Sequence, residues 1–436
     1  MTTPRPLSIG LSLAITWLTG NAWRRPDSRV EDIYSSDFYS DIAWRAEAAG
    51  VDFLFRPDSL FLDSSMLATS PGFSSLDPTL LLTAIARETR RIGLVTTAST
   101  SFYPPYIVAR QIQSLNWLSN GRAGWNIVTS IDGAGNFGSE ALPSSAERYA
   151  KAAEYTDLVR ALWASYPAEA LAHDRAGGTY AHPDLVRETG HDGRNFPVRG
   201  PLNLPAYPVG RIPLFQAGAS PEGRDFASKV ADGVFAATPD MAAAIELRQD
   251  IRRRAIGHGR NPNDVRLLPG LSLYLAKSKA EARDLFAETH HGLGNARKYR
   301  IIADNLGLDV SMMPHDQRIT PAMLPSENLS VRSRTHAQLL RRLIQSESPT
   351  VEDLLSRPEV AASAHWIFIG RPDGAAREIE RWARAGAMDG FIALPGGSRQ
   401  SLVLLLEEVL PELKAASLLD AAQSIFGGGA HALATG

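Results

Sequence analysis

Residues 46–55, AEAAGVDFLF, run from the end of a predicted helix through a glycine into an apolar strand. Residues 385–394, AGAMDGFIAL, repeat this arrangement near the other end of the chain. A glycine just after a helix is a common stop signal, because glycine adopts the left-handed conformation without steric cost. Both segments therefore predict helices that lead directly into strands, which is typical of an α/β protein.

The same alternation extends along the chain. Short apolar stretches alternate with longer stretches of helical periodicity, several of which begin with proline or serine. Eight strands are predicted, at Leu7–Leu13, Val51–Phe55, Ile92–Ala98, Arg122–Val128, Ile212–Ala217, Gly233–Ala236, Val265–Leu275 and Gly390–Leu394. Eight strand–helix units are the count of a closed, TIM-like (β/α)8 barrel, which we favour over an open doubly wound sheet.

Two long insertions interrupt the alternation, after strands four and seven. Residues 173–210 are rich in glycine, proline, arginine and histidine, and residues 290–360 mix helical patches with prolines. Long insertions in barrel enzymes usually lie over the carboxyl ends of the strands. The second insertion is therefore either a lid or a surface decoration or oligomer contact. We expect a single domain over residues 1–436, with a flexible tail over 424–436.

Composition excludes several classes of function. The chain has 436 residues, 44% of them hydrophobic, a net charge of −2 and no cysteine. The chain lacks the excess of basic residues that is typical of nucleic-acid-binding proteins. Because it has no cysteine, disulfides, thiolate nucleophiles and iron–sulfur clusters are excluded. Neither a signal peptide nor an apolar run of membrane length is seen, so we expect a cytoplasmic protein with no membrane contact. A homodimer or higher homo-oligomer is the default expectation.

A glycine motif follows the fourth predicted strand. Residues 133–138, GAGNFG, match the G-x-G-x-x-G pattern of dinucleotide-binding proteins. In those proteins the last glycine opens a helix whose amino terminus meets the pyrophosphate. Here Pro143 and two serines come before the helix predicted from Ala146. We therefore interpret these glycines as part of a tightly turning βα loop.

The predicted carboxyl ends of the strands carry mainly hydroxyl and amide side chains. This set suits hydrogen bonds to a planar polar ring and a phosphate, whereas hydrolases use paired carboxylates or a metal cluster. We assign no metal ligand and no catalytic acid or base. The segment that begins at Gly218 leads into a helix, so Ser220 either binds a phosphate at the helix start or simply caps the helix, and both can hold at once. Tyr149 is either a phosphate donor or a packing residue.

Several motifs, in the same order, resemble those of one enzyme family. They are GRAGWNIVTS at 121–130, AGNFG at 134–138, ERY at 147–149, TASTSFYPPY at 97–106 and QAGASPEG at 216–223. This pattern is similar to the family of nitrilotriacetate monooxygenase, pristinamycin synthase and dibenzothiophene-sulfone monooxygenase, within the luciferase-like flavin-dependent monooxygenases. The resemblance covers roughly residues 5–415.

The resemblance implies a two-component monooxygenase. Reduced FMN, supplied by a separate NAD(P)H-dependent flavin reductase, would react with O2 through a flavin C4a peroxide and oxygenate a small organic substrate. Matching positions imply cofactor contacts, to the ring from Asp58, from Thr100 or Ser101, and from Asn126, and to the phosphate from Tyr149, Gly218 and Ser220. Ser145 stands where the family usually has a histidine, so it would donate a hydrogen bond but bring no charge.

Two further expectations stay open at this point. Trp17, Trp23 and Phe55 either form a dry wall of the substrate pocket or pack in the core. The alternatives to a monooxygenase are an oxidoreductase that uses the deazaflavin F420 and a flavin-binding protein without turnover.

Overall fold

The computed structural model describes residues 5–72, 74–139, 141–218, 220–291, 294–326, 334–361 and 365–426. Its main sheet contains nine parallel strands, at β1 (Ser8–Ser12), β2 (Phe53–Arg56), β3 (Gly93–Ser99), β4 (Ala123–Val128), β9 (Leu214–Ala217), β10 (Gly233–Ala236), β11 (Arg266–Leu275), β12 (Trp366–Gly370) and β13 (Gly390–Pro395). The four remaining strands, β5 to β8, form two hairpins outside this sheet.

Eight of these strands close into a barrel. They follow one another in the order β10, β9, β4, β3, β2, β1, β13 and β11, and β10 pairs with β11 to complete the circle. The predicted barrel is confirmed, and the open sheet is wrong. β12 is a ninth strand that the sequence analysis missed. It pairs with Leu271–Leu275 in the second half of the long strand β11, beyond the stretch Arg266–Pro269 that pairs with β10.

Helices cover the outside of the barrel and fill the insertions. They are α1 (Ser36–Ala48), α2 (Pro78–Glu88), α3 (Pro105–Leu118), α4 (Ser145–Ala164), α5 (Pro221–Val230), α6 (Met241–Gly257), α7 (Lys279–His290), α8 (Asn295–Leu306), α9 (Arg334–Glu347), α10 (Val351–Ser356), α11 (Pro358–Ala361), α12 (Pro372–Arg384), α13 (Arg399–Leu404) and α14 (Leu410–Ala415). A π-helical turn, Leu405–Val409, joins the last two. Among the described helices, none combines the length and apolar character that a membrane span requires.

Side chains with clear capping chemistry set where several helices begin. Ser144 and Glu147 form a reciprocal capping box at the start of α4, and Ser278 does the same with Glu281 at α7. Ser220 caps α5 through the N–H of Gly223. These contacts satisfy backbone donors that the first helical turn leaves unpaired, and so they fix the positions of the βα loops.

An apolar layer closes the lower part of the barrel interior. Phe53, Phe55 and Phe215 form this aromatic floor, with the rings of Phe53 and Phe215 5.0 Å apart. Phe426 also belongs to the layer and is only 7% exposed, although the flexible tail was predicted from residue 424. Its ring packs where Gly93 and Gly124 leave room, since a Cβ at Gly93 would lie 2.6 Å from it. The tail prediction for 427–436 lies outside the described residues.

The first insertion lies along helices α3 and α4. It contains β5 (Leu171–Asp174) with β6 (Thr179–Ala181), and β7 (His191–Asp192) with β8 (Pro197–Val198). Glu154 on α4 accepts hydrogen bonds from the backbone N–H groups of Asn195 and Phe196. This carboxylate therefore anchors the second hairpin to the barrel.

The second insertion lies between α7 and β12 and has a hydrophobic core of its own. That core includes Ile302, Leu340 and Leu354 from helices α8, α9 and α10. The end of α7 contacts the loop after β1, because the N–H of Asn21 donates to the carbonyl of Thr289 at 2.9 Å. The insertion thus begins at the rim formed by the carboxyl ends of the strands. Its role as a lid stays a prediction.

Candidate active site

The barrel is open above its aromatic floor, at the carboxyl ends of the strands. Side chains two residues apart on a strand face the same side, so Val128, Ala217 and Phe235 continue the inward faces of β4, β9 and β10. Phe215 is fully buried, whereas Ala217, the next inward residue on β9, is exposed. We call this open space the mouth of the barrel.

One side of the mouth carries a polar cradle beside helices α4 and α5. The Tyr149 hydroxyl lies 3.3 Å from Gln216 Nε2 and within hydrogen-bonding reach of Thr129 and Ser220. Burial raises the pKa of Tyr149, so its hydroxyl stays protonated and able to donate. Gln216 Oε1 is buried without a hydrogen-bond partner among the described residues.

Two glycines give this cradle its open space. A Cβ at Gly218 would lie 2.6 Å from the Tyr149 hydroxyl and 2.6 Å from Gln216 Nε2, and a Cβ at Gly223 would lie 2.7 Å from the same hydroxyl. The structure therefore brings together three residues predicted to hold a phosphate, Tyr149, Gly218 and Ser220. The cap interpretation of Ser220 is confirmed, because its Oγ accepts the N–H of Gly223 at 3.1 Å, whereas its contact with a phosphate stays a prediction. Ala219 lies outside the described residues.

Asn126 extends from the floor side of the mouth. Its amide nitrogen donates to Thr97 Oγ1 at 2.9 Å, and that hydroxyl donates to the carbonyl of Arg56 at 2.7 Å. These bonds fix the amide so that Oδ1 remains buried without a partner among the described residues. A buried acceptor left unpaired is costly, and a ligand N–H would satisfy it. Thr97 was not predicted, although it is part of the motif at 97–106.

Thr100 and Ser101 differ in whether their hydroxyl groups are available for a hydrogen bond to a ligand. Thr100 is buried and is bonded to the carbonyl of Val128 through both its N–H and its hydroxyl, so it ties β3 to β4. Ser101 Oγ accepts the N–H of Ser130 at 3.1 Å, and its hydroxyl hydrogen is therefore available for another acceptor. Of the two residues, Ser101 is the better candidate for a ligand contact.

Asp58 lies beyond the end of β2, close to other titratable groups. Burial raises its pKa, and the neighbouring Asp77 carboxylate acts in the same direction, while Arg56 opposes both. Burial also raises the pKa of Tyr103, with further contributions from Asp58 and Asp77. A carboxyl in this setting holds its proton to a higher pH than a free aspartate does.

The remaining predicted residues are distributed between the site and the core. Ser145 is the first residue of α4, one turn before Tyr149 and on the same helix face. Trp17 is 1% exposed and packs against Phe38, so it belongs to the core and not to the mouth. Trp23 is half-buried and donates to the carbonyl of Thr69 at 2.7 Å, which links the loops after β1 and β2. Phe55 lies in the aromatic floor.

Comparisons with known proteins agree with this arrangement. The chain matches the family of luciferase-like monooxygenases over residues 26–389. It is 32% identical to N-acetyl-S-(2-succino)cysteine monooxygenase of Bacillus subtilis (strain 168) over 94% of this chain and 92% of that one. It is 31% identical to nitrilotriacetate monooxygenase component A of Aminobacter aminovorans, with the same coverage. The chain belongs to the luciferase-like monooxygenase family.

A solved structure of a luciferase-like relative extends the comparison to three dimensions. Riboflavin lyase, determined with modified FMN and riboflavin, superposes with a TM-score of 0.81 at 27% identity, covering 96% of this chain and 93% of that one. The agreement therefore extends over nearly the full length of both chains.

Two aromatic groups at the mouth were not predicted. The Tyr274 hydroxyl lies 3.0 Å from His290 Nε2, where β11 meets α7. The His365 ring stacks on Phe235 with centroids 5.0 Å apart, and burial lowers the pKa of His365 to about 4. It is therefore a neutral imidazole at neutral pH. No short sequence motif marks these residues: Tyr274 lies within β11, whereas His290 and His365 lie at the two ends of the second insertion.

Proposed function

We propose that this luciferase-like monooxygenase binds reduced FMN and uses O2 to oxygenate a small organic substrate. The reduced flavin would come from a separate NAD(P)H-dependent flavin reductase. One observation carries the proposal: the buried amide oxygen Asn126 Oδ1, on the inward face of β4, lacks a hydrogen-bond partner among the described residues. The cradle of Tyr149, Gly218 and Ser220 lies at the end of β9, the strand that pairs with β4. The relatives' names support the same class of oxidation.

The residues at the mouth fit the chemical groups of FMN. Asn126 Oδ1 would accept a hydrogen bond from an N–H of the isoalloxazine ring, and Ser101 would donate to a ring acceptor. The Tyr149 hydroxyl and the amino-terminal turn of α5, which begins at Pro221 after the Ser220 cap, would bind the phosphate. Ser145 would add a neutral donor at the start of α4, where its relatives usually have a histidine.

The chain's own residues would supply the environment for the reaction. Bound reduced FMN supplies the activation of oxygen. Phe55 and Phe235, whose ring centroids lie 5.3 Å apart, make the lower wall of the mouth apolar and exclude water from it. Asp58, whose pKa burial raises, would keep a proton at its carboxyl to a higher pH than usual.

The first test measures flavin binding and oxygen reactivity separately. FMN fluorescence is titrated with wild-type protein and with Gln216→Ala, and Gln113→Ala serves as a matched control because Gln113 bonds to the first insertion, away from the mouth. We expect about tenfold weaker FMN binding for Gln216→Ala only, because the substitution removes the Nε2 donor that holds the Tyr149 hydroxyl in the phosphate cradle.

The second measurement follows flavin absorbance after the protein with reduced FMN is mixed with oxygenated buffer. A monooxygenase would be supported by two results. The bound flavin would reoxidise at a rate different from that of free FMN, and a candidate substrate would change that rate. Tight FMN binding with oxygen reactivity identical to free FMN would instead indicate a flavin-binding protein without turnover. Failure to bind FMN together with binding of F420 would refute the proposal in favour of a deazaflavin oxidoreductase.

A further inference from the structure

A groove lies at the mouth between the loops that follow β2 and β4. It has a volume of about 330 Å3 and is lined by Phe61, Ile131, Ala134, Ala141 and Leu142, together with backbone of the glycine-rich loop 133–136. Phe61 is 40% exposed and Ile131 is 56% exposed, so two large apolar side chains face open space side by side. Its volume is at the small end of the roughly 300–1,000 Å3 usual for ligand pockets.

The groove walls are held in place before any ligand arrives. Asn136 Nδ2 donates to the carbonyl of Leu60 at 2.8 Å and joins the two loops. Gly133 has φ of +90°, and a Cβ there would lie 3.0 Å from the same carbonyl oxygen. Only glycine adopts this conformation readily while letting the loops approach so closely. The glycine motif that is not a dinucleotide site therefore builds one wall of this groove.

The groove is continuous with the proposed flavin site. Ile131 directly follows Ser130, whose N–H donates to Ser101 Oγ at 3.1 Å. On the other side, the Phe102 ring, next to Ser101, stacks on the Phe137 ring with centroids 4.3 Å apart and planes within 6°. A molecule in the groove would therefore lie beside the residue we expect to contact the flavin ring.

The charges around the groove select against anions. Asp132 is the one charged side chain among the described residues that line it. A carboxylate in the groove would lie against the apolar side chains of Phe61 and Ile131, and no basic side chain is among the described residues that line the groove to offset its loss of water. An uncharged apolar body would instead cover Phe61 and Ile131 and remove their surface from water.

We propose that this groove binds the apolar body of the substrate, and that the substrate class is uncharged alkyl or aryl molecules, with polycarboxylates excluded. The inference rests on the proposed function, since it places an oxidisable group next to the flavin site. Phe61 and Ile131 act as specificity-determining residues and take no part in flavin binding.

The test compares two probes of nearly equal shape, thioanisole and 4-(methylthio)benzoate, by ligand-detected NMR titration of the full chain. We expect the neutral probe to bind about tenfold more tightly, the order expected for one unfavourable charge contact near a protein surface. Ile131→Lys should weaken thioanisole binding and strengthen binding of the carboxylate. Ile256→Lys is the matched control, because Ile256 is 61% exposed at the far end of α6.

Equal or tighter binding of the carboxylate by the wild type, or no effect of Ile131→Lys on either probe, would overturn the proposal that this groove binds substrate. Absence of thioanisole binding up to its solubility limit would also overturn it. FMN fluorescence is titrated on the same samples. If the wild type binds FMN but does not prefer the neutral probe, the groove proposal alone is rejected. If the wild type does not bind FMN, the proposed function itself is rejected.

Discussion

Gly218→Ala tests the phosphate cradle with one added methyl group. The new Cβ would lie 2.6 Å from both the Tyr149 hydroxyl and Gln216 Nε2, well inside the distance that real Cβ atoms keep. Gly218 does not have a positive φ, so the substitution acts through this collision and not through backbone strain. Either the two polar groups move away from the phosphate position or the loop before α5 shifts.

The expected loss follows from the contacts at risk. Displacing one donor to a phosphate costs about 1.5–3 kcal/mol, the range for hydrogen bonds to charged groups. That corresponds to roughly 10- to 150-fold weaker FMN binding. Gly257→Ala is the control, because a Cβ at Gly257, at the end of α6, meets nothing within 4 Å.

FMN fluorescence quenching measures both variants, and circular dichroism checks that each is folded. We expect near-normal FMN binding for Gly257→Ala and at least tenfold weaker FMN binding for Gly218→Ala. If a folded Gly218→Ala protein bound FMN as tightly as the wild type, the phosphate would not lie in this cradle, and Tyr149 would be a packing residue.

Three other predictions concern the rest of the barrel. Phe426→Ala should lower stability by about 3–5 kcal/mol, the usual cost of deleting a buried phenylalanine ring, and urea unfolding would reveal it as a lower midpoint. Glu154→Ala should release the hairpin at Asn195 and make it more sensitive to limited proteolysis, while FMN affinity stays unchanged. Burial raises the pKa of Asp52 to about 7. Its stabilising effect is complete below the pKa of the unfolded chain, near 3.8, and is lost as the pH rises to about 7. Asp52→Asn should therefore gain stability relative to the wild type at pH 8 but not at pH 4, which thermal unfolding at the two pH values would test.

The fold could be predicted because its signals are local. A glycine stop such as Gly50 and an apolar run such as Phe53–Phe55 determine one helix end and one strand with few distant contacts. β12 was missed because its five residues follow a long irregular insertion, and only pairing with the second half of β11 defines it. Trp17 could not be placed by type alone, since an aromatic residue after a strand serves a pocket or a core equally well.

The residues of the candidate site could likewise be predicted where the signal is local, and not where it depends on contacts between distant residues. Tyr149, Gly218 and Ser220 were predicted because each belongs to a contiguous motif, and the structure brings those motifs together. Gln216 and Thr97 belong to those motifs too, but their importance comes from which atom is left unpaired, and that depends on bonds between different strands. His365 reaches the mouth only through the path of the second insertion, which local periodicity does not encode.

Ser145 lies at the start of α4, at a position where the resemblance implies a histidine, and would add only a neutral donor to the proposed phosphate cradle. In the proposed site, phosphate binding would not depend on one cationic side chain, because the Tyr149 hydroxyl, the Ser220 hydroxyl and the first turn of α5 lie close together. Helix-terminal N–H groups provide positive potential without a formal charge. At the proposed ring position, Asn126 Oδ1 would gain a partner when a ligand N–H binds, so part of the binding free energy would come from pairing a buried acceptor. A serine that adds one neutral donor is compatible with this arrangement. Ser145→Lys or Ser145→His should tighten FMN binding only modestly and make the affinity more dependent on salt, as FMN fluorescence titrations at low and high salt would measure.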